Sequence, residues 1–467
     1  MIKLFNTETR EKEPLKLQNK DEITLYTCGP TVYHYAHIGN FRTYVFEDLL
    51  RRTLESFGHK VKHVMNLTDV DDKTIRGATR DGVTLDEYTQ PFKDAFFEDV
   101  KSLNIEPAHF YPAATDYVPQ MIEMIQTLLD KGVAYQGNDG SVYFAIQKFP
   151  RYGCLSHLDM SELKTGASER ISADEYEKDS LSDFVLWKGY DPERDGSIYW
   201  ESPFGKGRPG WHLECSAMAM SLLGETVDIH VGGVDNMFPH HENEIAQSES
   251  CSGKRFVNHW LHSEHLIVNG KKMSKSLGNF YTLRDLLDKG YTGREVRYML
   301  LHTHYKTQLN FTLEGLDGVR ATLGRLKDFV IRVREISGDK SGESKSVIER
   351  AQKDFNEALA DDLNISQALA VLFDFVREVN GLIDKGSLGD KDKEAILEAL
   401  NRFDKVIGVI PLEEEKSAPQ ELLECLQKRE VARKEKNWAL ADELRDKITT
   451  AGWAIEDTPT GARLKKV

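Results

Sequence analysis

The chain of 467 residues is too long for one hydrophobic core and is expected to divide into about three domains. Its 40% apolar and 29% charged residues are those of an ordinary globular protein, and its longest purely apolar run, residues 368–373, is far too short to span a membrane. A net charge of −15 argues against a generic basic nucleic-acid coat, while five scattered cysteines form no disulfide framework and leave reduced thiols available as metal ligands.

The first residues, MIKLFNTETREKEPLK, carry no apolar segment of the signal-peptide kind, so a cytoplasmic location is expected. Residues 22–28 alternate and are rich in β-formers, which predicts a strand punctuated by Gly29-Pro30. A helix is predicted from Gly39, with Val45, Phe46, Leu49, Leu50 and Leu54 at helical spacing and Gly58 where a C-cap belongs. A second strand follows at 61–67. This β-loop-α-β unit opens a doubly wound parallel sheet. Residues from about 110 to 200 read as an insertion with short strands such as 140–147 and a polar stretch at 164–180. The parallel sheet resumes at 227–231 and breaks at Gly232-Gly233, and a helix runs from His240 to about Cys251. Residues 282–407 are mostly amphipathic helix, interrupted at 337–346 and 386–393. A charged, proline-containing linker at 411–420 isolates a last small unit. Within it, residues 428–436 hold five basic and two acidic side chains on a predicted helix, either a solvated face or part of an RNA-binding patch.

Three groups of residues carry chemistry. His37-Ile-Gly-Asn40 stands at a strand-to-helix junction, where unpaired N–H groups and the helix dipole favour an anion and Gly39 admits close approach. Lys272-Met-Ser-Lys-Ser276 follows the Asn269-Gly270 turn, so a glycine-flanked loop can bring Lys272 and Lys275 onto a polyphosphate and stabilise charge on a leaving pyrophosphate. Read alone, each motif also fits a plain helix start or a basic surface loop. Cys28, Cys215, His240 and Glu244 offer two thiolates, an imidazole and a carboxylate suited to tetrahedral Zn²⁺, and His240 and Glu244, four apart, share a helix face. His241 in place of His240 stays open, although its i+4 partner is Ile245. Two buried cysteines beside a surface His/Glu pair would look the same in sequence.

The motifs as a set resemble the class I aminoacyl-tRNA synthetases, specifically their bacterial cysteine-charging family. The resemblance runs nearly end to end, through residues 27–40 (TCGPTVYHYAHIGN), 66–75 (NLTDVDDKTI), 183–188 (DFVLWK), 210–218 (GWHLECSAM), 228–248 (DIHVGGVDNMFPHHENEIAQS), the lysine loop and 361–374 (DDLNISQALAVLFD). It implies an α/β fold: a Rossmann-type parallel-sheet catalytic domain with an insertion, then an α-helical bundle and a small C-terminal domain. The boundaries expected are 1–110 and 201–265 for the two catalytic halves, 111–200 for the insertion, 266–315 for the lysine loop and stem contact, 316–410 for the bundle, and 411–467 for linker and anticodon-recognition domain. The same resemblance implies one Zn²⁺ held by Cys28, Cys215, His240 and Glu244, with the substrate thiol reaching the ion. ATP, with Mg²⁺, is assigned to His37, Gly39, Asn40, Lys272 and Lys275, of which His37 and Lys275 are catalytic. The amino-acid pocket is assigned to Thr31, Thr68, Trp211 and Asp235. The expected partners are L-cysteine, ATP and tRNA(Cys), with no membrane and a monomeric protein; the alternative is a cysteine ligase of small-molecule thiol biosynthesis, which would lack a tRNA-binding C-terminal region. The chain departs from the family at Asn40, where many members carry histidine.

Overall fold

A computed structural model describes the chain except for residues 20, 159–182, 341, 414–418, 459–460 and 467. It forms two compact units, Met1–Pro411 and Leu412–Val467. The expected polar stretch 164–180 and the middle of the linker lie outside the described residues.

In the first unit, strands β1 (Lys3–Asn6) and β2 (Glu11–Pro14) make an antiparallel hairpin that the sequence reading missed. The catalytic sheet follows from β3 (Glu22–Thr27), helix α1 (Ile38–Ser56) and β4 (Lys60–Met65). Helix α1 starts at a reciprocal cap: His37 Nδ1 accepts from the Asn40 N–H at 3.1 Å and Asn40 Oδ1 accepts from the His37 N–H at 3.1 Å. Its apolar stripe, Phe41, Val45, Leu49 and Leu54, is buried, each side chain contributing about 1.5–3 kcal/mol. It ends before Gly58, whose φ of 88° lies in the left-handed region open to glycine.

Helices α2 (Asp72–Asp81) and α3 (Leu85–Ser102) precede α4 (Val118–Asp130) and an antiparallel sheet of β5 (Ala134–Gln136), β6 (Val142–Phe144), β7 (Phe184–Gly189) and, after the single turn α5 (Pro192–Asp195), β8 (Gly207–Pro209). Lys188 Nζ, 3.0 Å from Asp72, and Arg208 on the same carboxylate fasten this inserted sheet to α2. Helix α6 (Trp211–Leu223) returns the chain to β9 (Val227–Gly233); a short α7 (Val234–Asn236), a stretch kinked at Phe238 (Met237–His241) and α8 (Glu242–Ser252) lead to β10 (Val257–Ser263).

The sheet order is β10-β9-β3-β4, all neighbours parallel. From β3 the chain crosses outward to β4 through α1, and from β9 it crosses the other way to β10 through α8. The strand order therefore reverses between β3 and β9, and the carboxyl ends of these two strands form the crevice where open α/β sheets bind ligands.

Strands β11 (Leu266–Val268), β12 (Lys271–Lys272) and β13 (Leu309–Phe311) then hold the lysine loop, and α9 (Leu283–Asp288) and α10 (Gly293–Leu301) follow it. The bundle comprises α11 (Leu313–Arg334), α12 (Lys345–Ala360), α13 (Ile365–Asp384) and α14 (Asp390–Ile407), around Phe329, Phe355, Phe375 and Phe403. Fully buried Arg297 joins it to the sheet layer through Asp48 at 2.5 Å and the Ile407 carbonyl at 2.7 Å. The second unit pairs α15 (Gln420–Lys434) and α16 (Trp438–Thr450) with the hairpin β14 (Trp453–Thr458) and β15 (Gly461–Lys466) over its own small core of Leu422, Cys425, Leu426, Ile448 and Trp453.

Candidate metal centre and nucleotide site

The switch point gathers the predicted donors. Cys28 follows β3 directly, Cys215 sits in the second turn of α6, and the stretch after β9 delivers the histidines and Glu244. One donor atom each from Cys28, His240, His241 and Glu244 lies within 4.8 Å of the others, and all four residues are buried. Cys215 adjoins this group, its Sγ 4.0 Å from Cys28 Sγ and 3.4 Å from His240 Nε2. Five donors therefore converge where the sequence argument named four. His241, left open in the sequence, joins them because residues three apart share a helix face as well. The helical turn that follows a kink at Phe238 places it with Nε2 3.3 Å from Cys28 Sγ and 4.0 Å from Glu244.

The donor set fits a divalent soft-to-borderline cation. Two sulfurs bound to one tetrahedral Zn²⁺ stand about 3.8 Å apart, given Zn–S bonds of about 2.3 Å, and the two thiols here are 4.0 Å apart. Glu244 Oε1 is buried 3.0 Å from His240 Nε2 and has no hydrogen-bond partner, an orphaned oxygen of the kind a cation would satisfy. Burial holds both imidazoles well below their usual range. The Cys28 thiol is pushed up, first by its contact with Cys215 and then by burial; burial also raises Cys215 and Glu244. Burial thus disfavours the charged form of every donor, and a cation at their centre would reverse that preference for the acids.

An outer ring of partners orients these groups, none of which the sequence reading named. His212 Nδ1 lies 2.8 Å from His240 Nδ1, His262 Nε2 lies 2.8 Å from His241 Nδ1, and His230 Nε2 lies 2.9 Å from Glu244 Oε2. Glu242 accepts the backbone N–H groups of Gly153, Leu155 and Ser156 at 2.7–3.1 Å and so ties the start of α8 to the insertion. The available signal was histidine within predominantly buried strands, at His230 in β9 and His262 in β10.

The remaining predicted residues surround this point. Trp211 stacks on the His240 ring at 4.1 Å, 17° from parallel. Thr31 and Thr68 pair across the loops leaving β3 and β4, with the Val32 N–H donating to Thr68 O at 3.0 Å; the Thr68 hydroxyl donates to buried Glu214 at 3.0 Å. Asp235 follows β9, close enough for its charge to act on His37.

On the nucleotide side, burial lowers His37 below the usual imidazole value, opposed by Asp235. Its Nδ1 accepts from Asn40, so the neutral ring carries its proton on Nε2. Asn40 spends its side-chain oxygen on the same cap. Ile38, Asn40 and Phe41 donate their N–H groups to Tyr281 O, His37 Nδ1 and His37 O, which leaves the Gly39 N–H as the first-turn donor open to a ligand. A Cβ on Gly39 would stand 3.0 Å from the His37 ring and 3.3 Å from Met273 Cε, so the lysine loop closes directly over this glycine. Lys275 Nζ lies 3.2 Å from His34 Nε2, whereas Lys272 occupies β12 with its side chain exposed. The loop meets the first motif through Met273 and Lys275.

Residues 14–321 match the family described as tRNA synthetases class I (C) catalytic domain, and residues 354–412 match the DALR domain. A cysteine–tRNA ligase of Protochlamydia amoebophila is 65% identical over 467 residues, covering 100% of this chain and 98% of its own; one of Chlamydia pneumoniae is 59% identical over 466 residues, covering 99% and 97%. The chain belongs to the cysteine–tRNA ligase family of class I synthetases. Among solved structures, the Mycobacterium tuberculosis methionyl-tRNA synthetase in complex with methionyl-adenylate aligns at a TM-score of 0.61 and 14% identity, covering 84% of this chain and 89% of that one, which shows a shared fold. No helix among the described residues is long and apolar enough to cross a membrane.

Proposed function

We propose that the protein ligates L-cysteine to tRNA(Cys) at the expense of ATP, through a cysteinyl-adenylate, in the cytoplasm. The observation that carries this reading is convergence at one switch point. The cap of α1, the lysine loop and a buried thiol–imidazole–carboxylate cluster share one crevice, in a chain matched over its whole length, C-terminal unit included, by cysteine–tRNA ligases. That last unit favours tRNA over a small-molecule acceptor.

Cys28, Cys215, His240 and Glu244 would hold Zn²⁺, a soft Lewis acid that prefers a thiolate to a hydroxyl. Thr31, Thr68, Trp211 and Asp235 are assigned to the amino acid because they stand on the loops and helix that frame the same crevice. In the first step a carboxylate oxygen of cysteine bonds to the α-phosphorus of ATP and the bond to the β-phosphate breaks, releasing pyrophosphate with its Mg²⁺. The protein supplies little covalent chemistry and acts by placing donors. The Gly39 N–H and His37 Nε2–H meet phosphate oxygens at the positive end of α1, and Lys275 leaves His34 to meet charge gathering on the leaving group. In the second step a ribose hydroxyl at the tRNA terminus bonds to the acyl carbon and AMP departs. The test is charging of tRNA(Cys) transcript with labelled cysteine and ATP by the purified protein; release of AMP and pyrophosphate without acid-precipitable cysteinyl-tRNA overturns the assignment.

A further inference from the structure

Between β3 and α1 the chain carries three successive rings, Tyr33, His34 and Tyr35, and leaves the two tyrosines 36% and 41% exposed at the mouth of the site. The three rings belong to a larger strip. His34 lies parallel to Phe92, 9° apart with centroids at 6.4 Å, and Tyr35 meets Phe92 edge-on at 5.5 Å. Phe92 contacts Tyr88 at 5.6 Å, and the Tyr88 hydroxyl donates to the Tyr33 carbonyl at 3.2 Å. At its inner end the strip reaches Phe280, 6.4 Å from His34 and 5.4 Å from His37. Each outer ring already holds a cation: Lys73 Nζ lies 5.2 Å over Tyr33, and the Arg284 guanidinium, paired with Glu98 at 2.7 Å, lies 5.1 Å over Tyr35. Beside the strip opens a cavity of about 550 Å³ whose lining includes His34, Tyr35, Lys275 and Arg284 together with Asp285 and Asp288.

Exposed π-faces in a row, interleaved with cations, match one kind of ligand better than others. A duplex is gripped through its phosphates and offers no free base face. An unpaired strand presents both bases to stack and phosphates to neutralise. The strip begins at His37, where the adenylate would form, and runs outward along α3 and the start of α9. An acceptor end laid along this path would bring its terminal ribose to the acyl group. We propose that this strip is the subsite for the unpaired 3′-terminal nucleotides of tRNA, with Tyr33 and Tyr35 as stacking platforms for bases and Lys73 and Arg284 as phosphate contacts. The proposal rests on the tRNA-charging reading and assigns the residues that deliver the tRNA terminus.

The test compares the wild type with Y33A/Y35A and the ring-retaining Y33F/Y35F, using intact tRNA(Cys) and the same tRNA trimmed of its last three nucleotides. Stacking of one base is worth about 5–150-fold in affinity, so Y33A/Y35A should bind intact tRNA at least about tenfold more weakly. It should bind the trimmed tRNA as the wild type does, and Y33F/Y35F should behave as wild type with both. Cysteine-dependent ATP–pyrophosphate exchange without tRNA should stay within about twofold in both variants, which also reports that they are folded. K73A gives an independent reading: the salt dependence of intact-tRNA binding should lose about one ionic contact. Equal losses for intact and trimmed tRNA, or no loss for either, overturn the proposal. A raised KM for ATP in exchange overturns it as well and assigns the rings to the nucleotide. Failure of the underlying reading shows differently, because the wild type itself would then not charge tRNA.

Discussion

His37 caps α1 and, in the proposed reaction, also meets phosphate, two tasks that substitution can separate. Its Nδ1 accepts from the Asn40 N–H at 3.1 Å, which leaves its Nε2–H for the proposed phosphate contact. Changing it to alanine removes both; changing it to serine keeps an oxygen at the N-cap, where serine ranks with the best residues, but is too short to reach the nucleotide. Loss of a cap costs about 1 kcal/mol of stability, with a range of about 0.5–2. Loss of a donor aimed at charge forming in the transition state slows chemistry about 10²–10³-fold. Urea unfolding should therefore find H37A destabilised by about 1 kcal/mol and H37S close to the wild type. Single-turnover formation of cysteinyl-adenylate, followed by rapid quench, should be slowed about 10²–10³-fold in both. If H37S recovers the rate along with the stability, the imidazole is only a cap and the assignment of Nε2–H to phosphate is wrong.

C215A should lose its metal while H241A keeps it, despite the convergence of five donors: by elemental analysis after dialysis, affinity should fall in C215A by more than the about 10–100-fold that follows loss of an outer hydrogen-bond partner; full zinc in C215A with none in H241A would exchange the two ligands. A chain ending at residue 411 should keep cysteine-dependent pyrophosphate exchange, since the second unit has its own core, but bind tRNA more weakly and with a shallower salt dependence once residues 428–436 are gone; unchanged charging of tRNA by the truncated chain would remove that unit from RNA recognition. Acid should destabilise the protein through histidines remote from the cluster: burial lowers His259 to about 4 and His63 to about 3. Both are neutral when folded and take up a proton near 6.5 when unfolded, so their contribution is present above about pH 6.5 and is lost as pH falls toward the folded values, at about 1.4 kcal/mol per pH unit for each. In H259Q, which keeps an acceptor for the Lys16 N–H, the stability measured by urea unfolding should fall less steeply between pH 6 and 4.5; an unchanged slope would show that His259 titrates normally.

The sequence showed the catalytic frame because its signals were local. β3, α1 and β4 are written in a run of β-formers, a capped 3.6-residue stripe and a second strand, all within residues 22–65. The bundle helices were legible for the same reason. What stayed hidden depends on contacts distant in sequence. The hairpin β1–β2 is short and charged and is held by partners such as Asn258 and Asp362, more than 250 and 350 residues away. His212 and His262 become significant only when α6 and β10 are folded against the kinked stretch 237–241, and no periodicity in one sequence reports that meeting. His241 stayed an open alternative in the sequence, because nothing local shows the kink at Phe238 that sets how the helix bearing His240, His241 and Glu244 enters the crevice. Asn40, a departure from the family pattern, has a local physical role that its residue type suggests, because asparagine at the third helical position returns the cap to His37.

The central claim is that the buried cluster recognises the amino acid by its thiol. ATP–pyrophosphate exchange by the metal-loaded protein, with cysteine and serine compared in kcat/KM, tests it most directly. Shape alone separates such near-isosteres by about 10–200-fold, whereas a soft metal ligand should carry the preference for cysteine well beyond that range without an editing domain. A ratio above about 10⁴ is the predicted result, and serine within about tenfold of cysteine would contradict the account.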